Sequence, residues 1–221
     1  MSRRLLILRP EPGASVTATK AVAMGMDVIL LPLFKTRAIE WAVPDPAMFD
    51  AVLMTSANAA LHGGHDLVGY LYLPLYAVGE ATARAAKASG FTEVITGNGD
   101  VAAIAQTMAD DGRNRALHLA GRHKIAFQHK SLNITTATVY ASEALPPPTI
   151  PTDVVALLHS TRAALRFSGL AAEKSRIAII AISNTVGDAA GPDWQSISIA
   201  DQPQDSAMLA LAARLCETRE E

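Results

Sequence analysis

Cysteine is almost missing from this chain. Of 221 residues only Cys216 carries a thiol, so no disulfide within the chain is available and a reducing compartment is expected. Cys216 lies in "DSAMLALAARLCETREE", which reads as a C-terminal helix, and a buried or half-buried side chain is its expected role. Long apolar runs are missing too. None reaches the roughly 20 residues of a membrane span. The opening "MSRRLLILRP" has a short apolar part that stops at Arg9 and Pro10, below the about 7–15 residues of a secretory core. A cytoplasmic protein with no membrane partner is expected. An excess of basic charge is also lacking. Lys and Arg total 19 against 21 Asp and Glu, for a net charge of −2, and the pI is near 6.3. A general nucleic-acid binder is usually basic, so that partner class drops out. Any anionic ligand must be met by local Arg, Lys, hydroxyls and backbone N–H groups.

Several chemical signatures are absent as well. "HGGH" (62–65) places two histidines three apart with no third ligand in pattern, and loop histidines account for it; no metal is expected. The turn in "YAVGEATARAAKASGF" (76–91) lacks the three-glycine spacing and the acidic residue about 20 positions later that mark a dinucleotide site. No carboxylate pair and no catalytic triad stands out.

What is present is a large apolar fraction, 50%, with 18% charged residues, enough to bury a core and too much for disorder. Short apolar runs alternate with alanine-rich segments. Strands are expected at "RRLLILRP", 27–34 (stopped by Pro32), 49–56, "LYAVG", 92–96, 115–121, 134–141, 153–160, 176–183 and 195–200. Helices are expected at 15–24, from Ala57, at 80–88 and at 100–110. Most of the strand runs are continuously apolar, as in buried parallel strands. The class is therefore α/β with parallel sheets flanked by helices.

The chain also repeats itself. "AVLMTSANAAL" (51–61) resembles "VALLHSTRAAL" (155–165), "AVGEATARAA" (77–86) falls on "AISNTVGDAA" (181–190), and "DVAAIAQTMA" (100–109) on "QDSAMLALAA" (204–213). The three pairs share one offset, which indicates two related α/β units. The remaining pieces, "RRLLILRPEPG" with its strand and "NRALHLAGRHK" with its strand, pair separately. The organisation that satisfies both patterns is discontinuous: residues 1–34 and 148–221 form one domain, 39–141 the other. Extended linkers near 33–41 and 139–151 join them, the second rich in proline.

The order of these pieces resembles a known family. A Leu-rich strand ending in Arg-Pro is followed by strand–Thr-Ser-x-Asn-Ala, Val-Gly-x-x-Thr-Ala, a Gly-Arg loop, and Val-Tyr before the linker. A second strand–Ser-x-x-Ala-Leu-x-x-Phe and a degenerate second turn come after. Over essentially the whole chain this is similar to the uroporphyrinogen-III synthases. The resemblance implies two α/β domains joined by a two-stranded linker, with the active site in the cleft between them. It implies closure of the linear tetrapyrrole hydroxymethylbilane, an eight-carboxylate substrate, to uroporphyrinogen III, with inversion of ring D and loss of water. It also implies no metal or other cofactor, and a monomer is expected. The alternatives are a non-catalytic two-domain module that binds a small anion, and a nucleotide-dependent α/β enzyme.

Candidate residues follow from position and from the resemblance together. Gly79 opens the helix after its strand and Thr82 sits in that helix's start, as a hydroxyl for its own helix or for the substrate. The family's important Thr falls on Thr82. In the second turn Ser183 replaces the glycine, Val186 falls where Thr82 would repeat, and Thr185 matches a Thr used in some members. Ser56 and its repeat Ser160 are good N-caps that the family places at the cleft; His159 stands where the family usually has Thr. Arg9 follows strand one, at the strand end where open α/β sheets bind ligands, and Arg122 in "LAGRHK" is expected at the matching place of the other domain. Each suits a bidentate carboxylate pair. Tyr140, by resemblance, lies near the departing hydroxyl and is the first candidate for assisting chemistry.

Overall fold

The computed structural model describes residues 3–123 and 127–217. The chain divides into two compact units, Met1–Lys35 with Ala144–Glu221 (unit 1) and Thr36–Glu143 (unit 2).

Unit 1 holds a five-stranded parallel sheet built from β1 (Arg4–Ile7), β2 (Val28–Leu30), β9 (Val154–Leu158), β10 (Ile177–Ala181) and β11 (Ser196–Ile199), in the order β11-β10-β9-β1-β2. Every residue of β9 and β10 is buried. That is why these runs are apolar without alternation: helices cover both faces. One face packs on α5 (Thr161–Leu170) and α6 (Asn184–Ala190), through Phe167, Ala163 and Val186. The other packs on α1 (Gly13–Ala23) and α7 (Asp205–Glu217), through Ala14, Ala21, Met208 and Cys216. Cys216 is buried, as its place on an amphipathic helix suggests.

Unit 2 holds a six-stranded sheet in the order β3-β8-β7-β4-β5-β6. Its strands are β3 (Phe34–Ala38), β4 (Ala51–Met54), β5 (Leu75–Ala77), β6 (Val94–Thr96), β7 (Arg115–Gly121) and β8 (Asn133–Ala144). Helices α2 (Ala57–His62) and α3 (Glu80–Ala88) cover one face through Ala59, Ala60, Ala83 and Ala86. These small side chains let the two helices pack closely. The other face carries α4 (Val101–Asp110), through Ile104, Ala105 and Met108. Glu80 in the first turn of α3 and Lys87 in its last complement the helix dipole. The helix stops at Ser89, followed by Gly90 at φ 104°, a conformation that costs a glycine nothing.

The repeat is visible in the ladders. Val52 pairs with Leu75 on β5 and with Leu117 on β7; its counterpart Ala156 pairs with Ile179 on β10 and with Leu6 on β1. The strand orders β6-β5-β4-β7-β8 and β11-β10-β9-β1-β2 therefore correspond one to one.

One expectation needs correction. The run 27–34 is not one strand. β2 ends at Leu30, Pro32 has no N–H to donate, and Phe34 starts β3 in the other sheet. β3 falls within the extended segment 33–41, and β8 runs to Ala144. Ile39 N–H donates to the Val139 carbonyl at 3.1 Å and Leu145 N–H to the Leu33 carbonyl at 3.0 Å, so β3 and β8 run antiparallel. Both boundaries between the units lie at these two paired strands.

Candidate active site

In each unit the candidate residues collect at the carboxyl ends of the parallel strands. In unit 2, β4 leads into Ser56, β5 into Gly79, β7 into Arg122, and Tyr140 lies on β8 beside the end of β7. In unit 1, β1 leads to Arg9, β9 to Ser160, and β10 to the turn before Thr185. A parallel sheet places every βα turn on one edge, so residues far apart in sequence meet there.

Ser56 and Ser160 both cap helices. Ser56 Oγ accepts from the Asn58 N–H and Ser160 Oγ from the Ala163 N–H, each at 3.2 Å. Gly79 is different. No side chain caps α3, and Gly79 is extended at φ −167°, a conformation open to any residue. A Cβ there would meet nothing nearer than Gly99 at 3.9 Å. The protein's own packing therefore does not require a glycine at 79. Ser183, at the equivalent place, adopts the same extended geometry, also without capping α6. Thr82 is only 5% exposed, and its hydroxyl makes no hydrogen bond to any described residue. It is not the cap of α3. Val186 fills the same buried position in unit 1, so a methyl in place of the hydroxyl suffices for packing. Thr185 is exposed on the first turn of α6.

Tyr140 is half-buried against the α2–α3 core. Its ring lies 6.0 Å from that of His62, tilted by 31°, and His62 Nε2 is 2.9 Å from Thr36 Oγ1. Burial lowers the His62 pKa below its ordinary value, so the imidazole is neutral at pH 7. The Tyr140 hydroxyl makes no hydrogen bond to any described residue. Arg122 donates its backbone N–H to the Tyr140 carbonyl at 2.9 Å, and its side chain is exposed.

The ladders correct the expected equivalence of Arg9 and Arg122. Leu6 and Leu117 occupy equivalent rungs, so the counterpart of Arg9 is Ala120, and Arg122 lies two residues further on. The two arginines also differ in company. Arg9 is tied to the protein's own carboxylate, Asp205, at 3.5 Å. Asp205 further accepts from Thr17 Oγ1 at 2.8 Å, Lys20 Nζ at 3.3 Å and His159 Nε2 at 3.2 Å. A Cβ on Gly13 would come within 2.6 Å of Arg9 Nε, so the bare start of α1 gives the guanidinium its seat. Burial lowers the Arg9 pKa while Asp205 raises it. Burial works to raise the Asp205 carboxyl, but the hydrogen bonds from His159 and Thr17 and the neighbouring charges hold it well below the usual carboxylate range. Burial lowers His159, assisted by the Arg9 charge and opposed by Asp205. The imidazole is therefore a neutral N–H donor to Asp205 near pH 7.

Sequence reasoning passed over Asp205 and gave His62 only a loop role. The two lie 46 and 78 residues from the groups they meet, His159 and Tyr140, and no local pattern signals either contact. Among the described residues no three His, Cys, Asp or Glu side chains are grouped to hold an ion. Among the same residues no helix is long and apolar enough to cross a membrane.

Comparisons with known proteins bear on this edge-of-sheet arrangement. The chain matches the family model described as uroporphyrinogen-III synthase HemD over residues 15–210. Sequence comparison with curated proteins finds no match. Among solved structures it is similar to uroporphyrinogen-III synthetase from Helicobacter pylori, with a TM-score of 0.66 at 17% identity over 96% of this chain and 99% of that one. It is also similar to a mutant uroporphyrinogen III synthase from the extremely thermophilic bacterium Thermus thermophilus, with a TM-score of 0.53 at 13% identity over 97% of this chain and 100% of the other. At these identities the likeness shows a shared fold.

Proposed function

The chain belongs to the uroporphyrinogen-III synthase family, and on that premise we propose how its two strand-end edges serve the reaction. The family is one of cyclising lyases in tetrapyrrole biosynthesis. The substrate is linear hydroxymethylbilane. The C–O bond of its ring A hydroxymethyl group breaks, and the oxygen leaves as water after taking a proton. The pyrrole nitrogen stabilises the resulting azafulvene cation. The substituted α-carbon of ring D then attacks the freed methylene to give a spiro intermediate. That intermediate fragments and recloses at the other α-carbon, and loss of a proton restores the pyrrole. Electrons and atoms balance with no redox step, so the chemistry asks for no cofactor.

Unassisted closure joins the free α-carbon and gives the wrong isomer, so positioning is the main task. In this reading Tyr140 gives the proton to the leaving oxygen, directly or through water. The observation that carries this is its hydroxyl, left without a partner among the described residues at the strand-end edge. The uncapped first turn of α3, with Gly79 and the Thr82 hydroxyl, receives a substrate carboxylate. Arg122 pairs another, and Ser56, Ser160 and Thr185 add hydroxyls. Arg9 holds its own edge through Asp205 and offers the remainder of its fork to the substrate. The protein acts in the cytoplasm as a monomer on a small molecule, without nucleic acid or membrane. The test is incubation with freshly prepared hydroxymethylbilane. An excess of isomer III over the spontaneous mixture is expected, and a product ratio equal to that without protein sinks the reading.

A further inference from the structure

We propose that Gly121 is a positioning residue for Tyr140: the missing side chain at the end of β7, opposite a bulge in β8, is what lays the tyrosine hydroxyl across that strand end. The proposal rests on the reading of Tyr140 given above and adds the residue that aims it.

Three observations carry it. The first is the register. Along β7 and β8 the pairs run Leu119 with Ala137 and Ala120 with Thr138, and then jump to Gly121 with Tyr140. Val139 is the extra residue. In an unbroken ladder Gly121 would pair with Val139, and Tyr140 would point to the opposite face of the sheet. The bulge instead brings both residues onto the α2–α3 core, where Val139 is fully buried and Tyr140 packs at the margin.

The second is space. A Cβ on Gly121 would lie 2.5 Å from Tyr140 Cζ, 2.8 Å from Cε2 and 2.8 Å from the hydroxyl oxygen. Real Cβ atoms do not come that close, and the atoms displaced are those at the reactive end of the ring. Gly121 is not among the glycines with positive φ, so its backbone does not itself demand a glycine. The requirement comes from the tyrosine.

The third is support. The ring of His62, fixed by Thr36, stands 6.0 Å from the Tyr140 ring, and the Arg122 N–H holds the Tyr140 carbonyl at 2.9 Å. A methyl at position 121 therefore drives the ring out of a seat defined by its neighbours. It moves the hydroxyl without removing it.

The experiment compares Gly121→Ala, Tyr140→Phe and the double variant, with hydroxymethylbilane as substrate and kcat, KM, isomer ratio and melting midpoint as readouts. Gly121→Ala is expected to lower kcat to the level of Tyr140→Phe, about 10²-fold at the low end of general-acid assistance, with KM within about twofold of wild type. The double variant is expected to be no slower than Gly121→Ala, because a displaced hydroxyl has nothing left to lose. Losses that multiply in the double variant overturn the proposal. So does wild-type turnover in Gly121→Ala beside an impaired Tyr140→Phe. Wild-type turnover and isomer ratio in Tyr140→Phe refute the role of the tyrosine itself, and the aiming role with it. Where Gly121→Ala melts low, Gly121→Ala/Tyr140→Ala should melt no lower than Tyr140→Ala alone; a further drop shows that the methyl strikes something other than the ring.

Discussion

Asp205→Ala should cost the protein about 3 kcal/mol, through the donors it abandons. Among the described residues four groups converge on this carboxylate at the start of α7: Thr17, Lys20, His159 and Arg9. They do not count equally. The side chains of Lys20 and Arg9 are 49% and 32% exposed, so water and salt screen them and each contributes little. Thr17 is fully buried and the His159 side chain is 9% exposed. Each of these buried donors, left without an acceptor, costs roughly 1–3 kcal/mol. Loss of a carboxylate from the first turn of α7 adds about 0.3–1 kcal/mol. Water entering the space of the lost side chain satisfies part of this, which places the total near the low end of the sum. At roughly 2–4 °C per kcal/mol for a chain of this length, the midpoint should fall by about 6–12 °C. Calorimetry at about pH 7.5, with urea unfolding beside it, measures the change. A midpoint within about 1 °C of wild type would refute the claim that this cluster ties β1, α1, β9 and α7 together.

Acid should weaken the same cluster in a definite direction. His159 has a folded pKa below its unfolded value, so the unfolded chain takes up its proton first; stability is full above about pH 6.5 and is lost as pH falls from there. Asp205 is lowered too, and its contribution persists until pH drops below about 4. His159→Thr, which copies Thr55 of unit 2, should flatten the loss between about pH 7.5 and 5.5 in melts across that range; an unchanged slope assigns the loss elsewhere. Thr82→Val, which copies Val186, should leave stability within about 1 kcal/mol of wild type, since the hydroxyl has no partner among the described residues to lose, while KM for hydroxymethylbilane rises. A clear drop in its midpoint would show that the hydroxyl serves the helix. Gly79→Ser, which copies Ser183, should fold normally and bind substrate less tightly, because the new side chain fills the space above the first turn of α3; wild-type KM counts against a ligand there.

Much of this protein is legible without coordinates, and the reason is physical. A strand buried on both faces must be apolar throughout, so β4, β9 and β10 announce themselves as runs. The helix 80–88 is framed by Gly79 and Gly90 and filled with alanine, and the structure has it at Glu80–Ala88. The repeat puts Ser56 beside Ser160 and Gly79 beside Ser183, because equivalent βα turns need equivalent starts. Pro32 shows that a strand is interrupted, yet not that the chain then enters a different sheet, since the strand that pairs with β3 lies about a hundred residues further along the chain.

The side chains around the candidate site belong to tertiary structure for the same reason. Nothing near Arg9 in sequence shows that Asp205 will take up its charge, and nothing near Tyr140 shows His62. The offset of Arg122 from Arg9 by two rungs depends on where each ladder begins. The place of Tyr140 depends on one extra residue in β8 and one missing side chain in β7. A sequence determines which residues are apolar, flexible or capping, because those properties act over a few positions. Which groups share a hydrogen bond or a van der Waals boundary is decided only when separate strands are set in register, because distances of about 3 Å are fixed by the ladder and not by the chain.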